Sequence, residues 1–363
     1  MKTKINSMKH FFFLISASIC LIACDNENPV QPPPDPQDQG VFILNQGNPG
    51  ANDAGLSLFD PSASTMQTDI FNGKLGDLAQ DMILYGSKLY ISVGGSNSIS
   101  ILDIRTLKEI KRIDMNIDEH SFSPWHFATH RGKVYVTTQE SQSRDGYVFR
   151  IDTLSLAIED RTQVGINPVG IAYDNNKLYV ANSGLWGNPG NTLSVVDIAS
   201  FKEIEKIEVG LNPNFVKSNG TGKIYLTYQG NFGNIPGGFQ IIDTYSKEAN
   251  IEVDINDRPF GNFALSGNTV YFYGVYYDED YQSHHNGIFQ YDIRTGKIDE
   301  NPFIAASEIA ETPFSIEIHP VSKEIYIASY LPKERGKMYI FDTTGNLKTK
   351  ESVGLFPCKF QFY

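Results

Sequence analysis

The densest group of chemically capable side chains lies between residues 276 and 286. It holds Tyr276, Tyr277, Tyr281, the adjacent pair His284 and His285, and the carboxylates Asp278, Glu279 and Asp280. Imidazole is a common metal ligand, but neighbouring histidines on an extended segment point to opposite sides. The pair therefore offers one ligand at most, or hydrogen bonds to loop carbonyls. The three carboxylates lack the alternating spacing and the glycine of an EF-type calcium loop, so they read as a solvated acidic turn. The chain has no Gly-x-Ser-x-Gly, no His-Glu-x-x-His and no phosphate-cradling glycine loop. What remains is recognition chemistry, in which aromatic faces and side-chain amides stand among glycines. Those residues are Trp125, Trp186, Phe232, Tyr276, Tyr277, Tyr281 and Tyr330, with Asn188, Asn191, Gln229, Asn231 and His285. Flat rings with polar tips suit an amphipathic ligand, and amides and glycines supply hydrogen bonds and close backbone approach.

What positions these residues is a repeat. Six segments share a Tyr at one place: KLYISV from Lys88, KVYVTT from Lys133, KLYVAN from Lys177, KIYLTY from Lys223, TVYFYG from Thr269 and EIYIAS from Glu324. An apolar strand precedes each, led by Pro124, Pro168, Pro213, Pro259 or Pro313, with Asp81 in the place of the proline ahead of Lys88 and Pro357 leading one more. A third strand follows and ends in aspartate, at Asp60, Asp103, Asp152, Asp197, Asp243, Asp292 and Asp342. Runs of β-branched and aromatic residues bounded by turn formers are strands, and a period of about 45 residues marks a radial array of small sheets.

The C-terminal Pro357 to Tyr363 is a first strand without a second, while 41–45 and 56–60 are a second and third without a first. Together they complete a blade. The expected fold is all-β, a seven-bladed β-propeller of four-stranded antiparallel blades over residues 40–363, closed by pairing the two ends so that no long sheet edge stays open.

The seven aspartates suggest a carboxylate ring, but turn-forming residues follow each one, and an Asp there accepts the N–H groups of its own turn. A residue repeated in every blade serves the blade. Function is expected where blades differ. Antiparallel order puts the second-to-third connections and the inter-blade crossovers on one face, and these are long and aromatic: 47–55, 139–146, 183–191, 229–236, 275–286 and 330–336. The opposite face has brief turns such as Tyr85-Gly86-Ser87. The innermost strands read as mostly apolar, with Trp125, His126 and Asn214 as partial exceptions.

Lys2, Lys4 and Lys9 precede an apolar run from Phe11 to Ile22 that is too short to span a bilayer, which is the pattern of a signal peptide, residues 1–23. It ends in Leu21-Ile22-Ala23-Cys24, which matches the lipobox of bacterial lipoproteins, so Cys24 is the expected acylated first residue and membrane anchor. Residues 24–39, with five prolines, form an expected extended tether, which at about 3.1 Å per residue reaches roughly 45 Å. Loss of the three lysines takes the formal charge from −12 to −12 − 3 = −15, a surface that repels nucleic-acid phosphates. Cys24 and Cys358 alone remain, so no internal disulfide is expected.

Lys177 to Ser183 followed by Asn191 to Asp197 resembles the YVTN repeat of YncE-like propellers. The opening Gly40 to Asn48, the segment Leu75 to Met82 and the closing Gly354 to Pro357 are similar to the BtuG-like surface lipoproteins of Bacteroidetes cobalamin-uptake systems. The resemblance implies a non-catalytic protein, without a cofactor or resident metal, lipid-anchored to the outer membrane at the cell surface. It would hold cobalamin or a related corrinoid on one propeller face and pass it to a TonB-dependent outer-membrane transporter. The residues themselves leave two other readings open. One is an interaction propeller, or a capture protein for another ligand in an uptake complex. The other is a metal-dependent, lactonase-type hydrolase with carboxylates gathered at the axis.

Overall fold

Each second strand is apolar on both faces because both faces are covered. In Lys88–Val93 every residue after the lysine is buried, and in Lys177–Leu185 all but the first and last are. A strand covered on both sides reads as a continuous apolar run rather than an alternating one. The computed structural model describes residues 40–71, 75–245, 250–253, 261–277 and 283–363. It shows seven sheets, each with an innermost, second, third and outermost strand, antiparallel throughout and in sequence order in all but the first blade. Residues 1–39 lie outside the described residues, and with them Cys24 and the tether.

Blade 1 is built from both ends of the described chain. Pro357–Phe362 pairs with Val41–Asn45, with Val41 opposite Phe362, Ile43 opposite Phe360 and Asn45 opposite Pro357. Gly55–Asp60 and Thr65–Gln67 complete it. Blades 2 to 7 begin at Ala79, His120, Pro168, Pro213, Phe263 and Thr312, and blade 3 carries a fifth, two-residue strand at Asn116–Ile117.

The repeated tyrosine joins neighbouring blades. Tyr90 of blade 2 packs with Phe127, Val134 and Phe149 of blade 3. Tyr135 of blade 3 meets Leu178 and Val180 of blade 4, Tyr179 meets Val216 and Ile224 of blade 5, and Tyr225 meets Phe263 and Val270 of blade 6. Tyr326 of blade 7 closes the circle against Val41, Ile43 and Phe360. At these five junctions one large ring excludes water and supplies the apolar area that a thin, four-stranded sheet lacks by itself.

All seven aspartates sit in turns and bond to their own backbone. Asp60 accepts from Ser62 N (2.8 Å), Asp103 from Thr106 N (2.8 Å), Asp152 from Ser155 N (2.7 Å) and Asp197 from Ser200 N (2.7 Å). Asp243, Asp292 and Asp342 accept from Tyr245, Arg294 and Thr344. The Ser62 hydroxyl beside Asp60 and the Thr106 N–H beside Asp103 hold those carboxyls below their usual range. These aspartates make turns, on the face opposite the long loops.

One sequence-based register needs correcting. Asp81 was expected to replace the lead proline of blade 2, but the pairing puts Ala79 there. Pro124, Pro168, Pro213 and Pro313 each face the residue three past the repeated tyrosine, and in blade 2 that partner, Val93, faces Ala79. Asp81 is therefore two residues inside the strand. Pro259, the expected lead of blade 6, lies outside the described residues.

Candidate functional site

The position after each lead residue forms a ring. Gln80, Trp125, Val169, Asn214, Phe314 and Cys358 each come from a different innermost strand, and all line one cavity of about 450 Å³ at the mouth of the axis. A residue just inside a strand that enters from the crossover face must lie at that end of the axis, which is why a local sequence position becomes a ring. Gln46, Gln229 and Asn262 bring the carboxamides to five with Gln80 and Asn214, and Phe215, Phe232, Tyr273 and Tyr330 add ring faces. Among the described residues, no Asp, Glu, Lys or Arg lines this mouth. Gln46 Nε2 donates to Gln80 Oε1 at 3.1 Å, and Asn212 Nδ2 donates to Gln229 Oε1 at 3.4 Å. Tyr330 stacks on Phe356 and meets Phe314 edge-on, with ring centroids 5.2 and 5.4 Å away.

Below the mouth, and sharing Gln80, His126, Phe215, Asn262 and Cys358 with it, lies a second cavity of about 440 Å³ along the axis. Here the expectation of mostly apolar innermost strands fails. Asp81, Lys217, Glu317 and Lys359 line this cavity and form a connected charge cluster. Lys217 Nζ and Lys359 Nζ lie 2.9 and 3.2 Å from the same oxygen, Glu317 Oε1, and Lys359 Nζ is 3.6 Å from Asp81 Oδ1. Asp81 Oδ2 also accepts the Phe127 N–H at 2.9 Å. Burial disfavours the charged form of Glu317, but the two ammonium groups outweigh it and hold the carboxyl below its usual range. Burial likewise opposes the charge on both lysines. It prevails at Lys217, whose pKa falls; at Lys359 the paired Asp81 and Glu317 reverse it. His126 stacks beside Phe215 with centroids 5.8 Å apart, and burial favours its neutral form.

The sequence-predicted residues divide among several places. Trp125, Gln229, Phe232 and Tyr330 line the mouth. Trp186, Asn188 and Asn231 lie farther out, lining with Gln229 and Phe232 a groove of about 760 Å³ between the loops of blades 4 and 5. Asn231 spends its side chain on its own loop, accepting from Gly233 N and Ile235 N and donating to Asn234. Asn191 Nδ2 donates to Glu208 at 3.2 Å. Tyr276 is exposed and stacks on His284, centroids 5.4 Å apart. His285 accepts the Gly287 N–H at Nδ1 and donates from Nε2 to the Ile309 carbonyl at 2.9 Å, so both nitrogens are engaged by its own chain, and burial lowers its pKa. The backbone of Tyr277 pairs with Ser283, while its ring, like all of Tyr281 and the 278–280 carboxylates, lies outside the described residues.

Gln46, Gln80, Asn262 and Phe314 were missed, as was the charge cluster. The available signal was position, since the residue after each lead proline forms the ring; in blade 2 the register error concealed Gln80 and Asp81.

Both axial carboxylates are paired with ammonium groups, and among the described residues no three His, Cys, Asp or Glu side chains converge as a metal site. Burial pushes the Cys358 thiol up, away from a reactive thiolate.

No protein-family model matches the chain, and no curated protein matches its sequence significantly. Solved structures do match in fold. The chain is similar to "Hydrazine Synthase" of Kuenenia stuttgartiensis at 17% identity and a TM-score of 0.61, covering 75% of this chain and 85% of that one. It is also similar to apo AztD from Citrobacter koseri, at 13% and 0.53, covering 90% and 97%. A third match is a "Quinonprotein alcohol dehydrogenase-like protein" from Bacteroides thetaiotaomicron, at 15% and 0.58, covering 88% and 77%. At such identities the likeness is one of fold. What this chain has is a seven-bladed β-propeller whose one mouth is a neutral ring of amides and aromatic faces.

Proposed function

We propose that this chain captures a corrinoid, cobalamin or a relative, at the outer-membrane surface, anchored through Cys24, and passes it to a TonB-dependent transporter without catalysing a reaction. The observation that supports this is the composition of the mouth. Five carboxamides and the faces of Trp125, Phe215, Phe314 and Tyr330 converge on one cavity that, among the described residues, has no charged side chain in its own lining. A corrinoid is a flat macrocycle fringed with carboxamide arms, so amide pairs and ring faces complement it. The cavity takes part of such a ligand, and the rim carrying Phe232 and Tyr276 walls the remainder.

Isothermal titration of residues 40–363 with cyanocobalamin tests the reading. Saturable one-to-one binding is expected, weakened about tenfold or more, or 1.4 kcal/mol and upward, by Trp125→Ala or Tyr330→Ala. No heat up to about 100 μM ligand, well above the range of a capture protein, removes the corrinoid. Retention of an outer-membrane protein by the same chain after those changes would favour an interaction propeller.

A further inference from the structure

We infer that the groove between the loops of blades 4 and 5, which adjoins the axial mouth and shares Gln229 and Phe232 with it, is a second binding site centred on Trp186, and that its ligand is a neutral carbohydrate. Two aromatic side chains carry the argument. Trp186 and Gly187 form the two-residue turn between the paired residues Leu185 and Asn188, with Gly187 at φ +80°. That geometry puts Trp186 at the outer corner of the turn, where it is 89% exposed. Phe232, 63% exposed, stacks against it with centroids 5.5 Å apart and planes inclined by 22°.

Phe232 also holds an unfavourable backbone. Its φ is +55°, a region costly for a bulky side chain. Other bulky apolar residues share that conformation, but Leu156 and Phe201 are buried and Leu78, Leu107 and Phe356 half-buried, so packing offsets the strain. Phe232 has no such compensation. The Asn231 side chain, bonded to Gly233 N and Ile235 N, holds the turn in this shape. Strain without burial at an exposed ring motivates a hypothesis of function, and so does a large aromatic surface left open to water.

The remaining lining selects the ligand. Among the described residues no acidic or basic side chain lines this groove; Asn167, Asn188, Asn212 and Gln229 provide its polarity. Carboxamides both donate and accept, as hydroxyl groups require. The apolar C–H face of a pyranose ring covers an aromatic ring while its hydroxyls reach the amides. Phosphates, sulfates and uronates would find no counter-charge.

The chain has two tryptophans, one in the mouth and one in the groove. The Trp125→Phe variant of the full-length chain therefore makes Trp186 the sole indole reporter. Titrate it with cello-, malto-, manno- and xylohexaose, and with oligogalacturonate as the charged comparator. At least one neutral hexaose should quench and blue-shift Trp186 emission, with a Kd between about 10 μM and about 1 mM. Phe232→Gly should weaken that binding about tenfold or more while leaving the melting temperature unchanged or raised, because glycine relieves the backbone. A purely structural role predicts the reverse. The inference is overturned if no neutral hexaose shifts the emission up to about 10 mM, if Phe232→Gly binds as well as the parent, or if oligogalacturonate binds equally. Cyanocobalamin titrated calorimetrically into the same variant and into the Trp186→Ala variant tells the two sites apart, since loss of corrinoid binding alone leaves the sugar signal in place.

Discussion

Lys217 and Lys359, from the innermost strands of blades 5 and 1, donate to a single oxygen of Glu317 in blade 7, at 2.9 and 3.2 Å. With Asp81 of blade 2 they tie four of the seven blades across the axis. A pair of this kind adds little net stability over apolar packing, but removing one partner strands the others. Glu317→Gln should therefore destabilise the fold by about 2–4 kcal/mol; the low side applies because part of each ammonium reaches the channel. Urea unfolding measures this, and a change below about 0.5 kcal/mol would show that water in the channel already solvates both lysines.

The same cluster sets an acid limit. Glu317 has a folded pKa below its usual value of 4.5, so its contribution is present above that value and is lost as pH falls through the depressed one. Between neutral pH and 4.5 the contribution should be constant. Below that, the parent should lose stability more steeply than Glu317→Gln, and parallel curves would mean the carboxyl is not held low.

His126 titrates with the opposite chemistry and the same direction in pH. Burial lowers its pKa from 6.5, so the unfolded chain binds a proton before the folded one does. Stability should fall as pH drops below about 6.5 and level off beneath the folded pKa. His126→Gln should flatten that slope between pH 5 and 7. Other histidines share the direction, so the difference between the two proteins is the quantity to measure.

Ring closure depends on the last strand. Phe360 is 2% exposed, within the cluster that joins blades 7 and 1. Phe360→Ala should cost about 3–5 kcal/mol, whereas Phe362→Ala, at a half-buried position, should cost less. Equal and small losses would mean that the terminal strand does not seal the ring.

At the mouth, Phe314→Ala should weaken ligand binding as much as Trp125→Ala, by about tenfold, since both occupy the same ring position. Calorimetry on the two variants decides it; an unaffected Phe314→Ala would restrict the site to the side of the axis that carries Trp125.

The repeat made the architecture legible. Apolar second strands, lead prolines and terminal aspartates are local devices, each acting through its own turn or pleat, and Pro357 to Tyr363 could be matched to Val41 to Asn45 because each lacked what the other supplied. The aspartates were separated from function for the same reason, as residues needed by every blade. The aromatic rim was legible too, since connections of that length and composition stand apart from the bland turns opposite.

Only the tertiary structure decided what meets at the axis. Gln80, Asn214 and Phe314 are scattered singly along the chain and share only their place after a lead residue; closing the circle puts them around one cavity. Asp81, Lys217, Glu317 and Lys359 looked like isolated charges on separate strands, and they become a network because radial strands converge and bring their side chains within reach of one another. Which rim aromatics stay open was likewise set by loop backbone: Trp186 and Phe232 by a two-residue turn and a left-handed residue, and His285 by the Ile309 carbonyl that holds its ring.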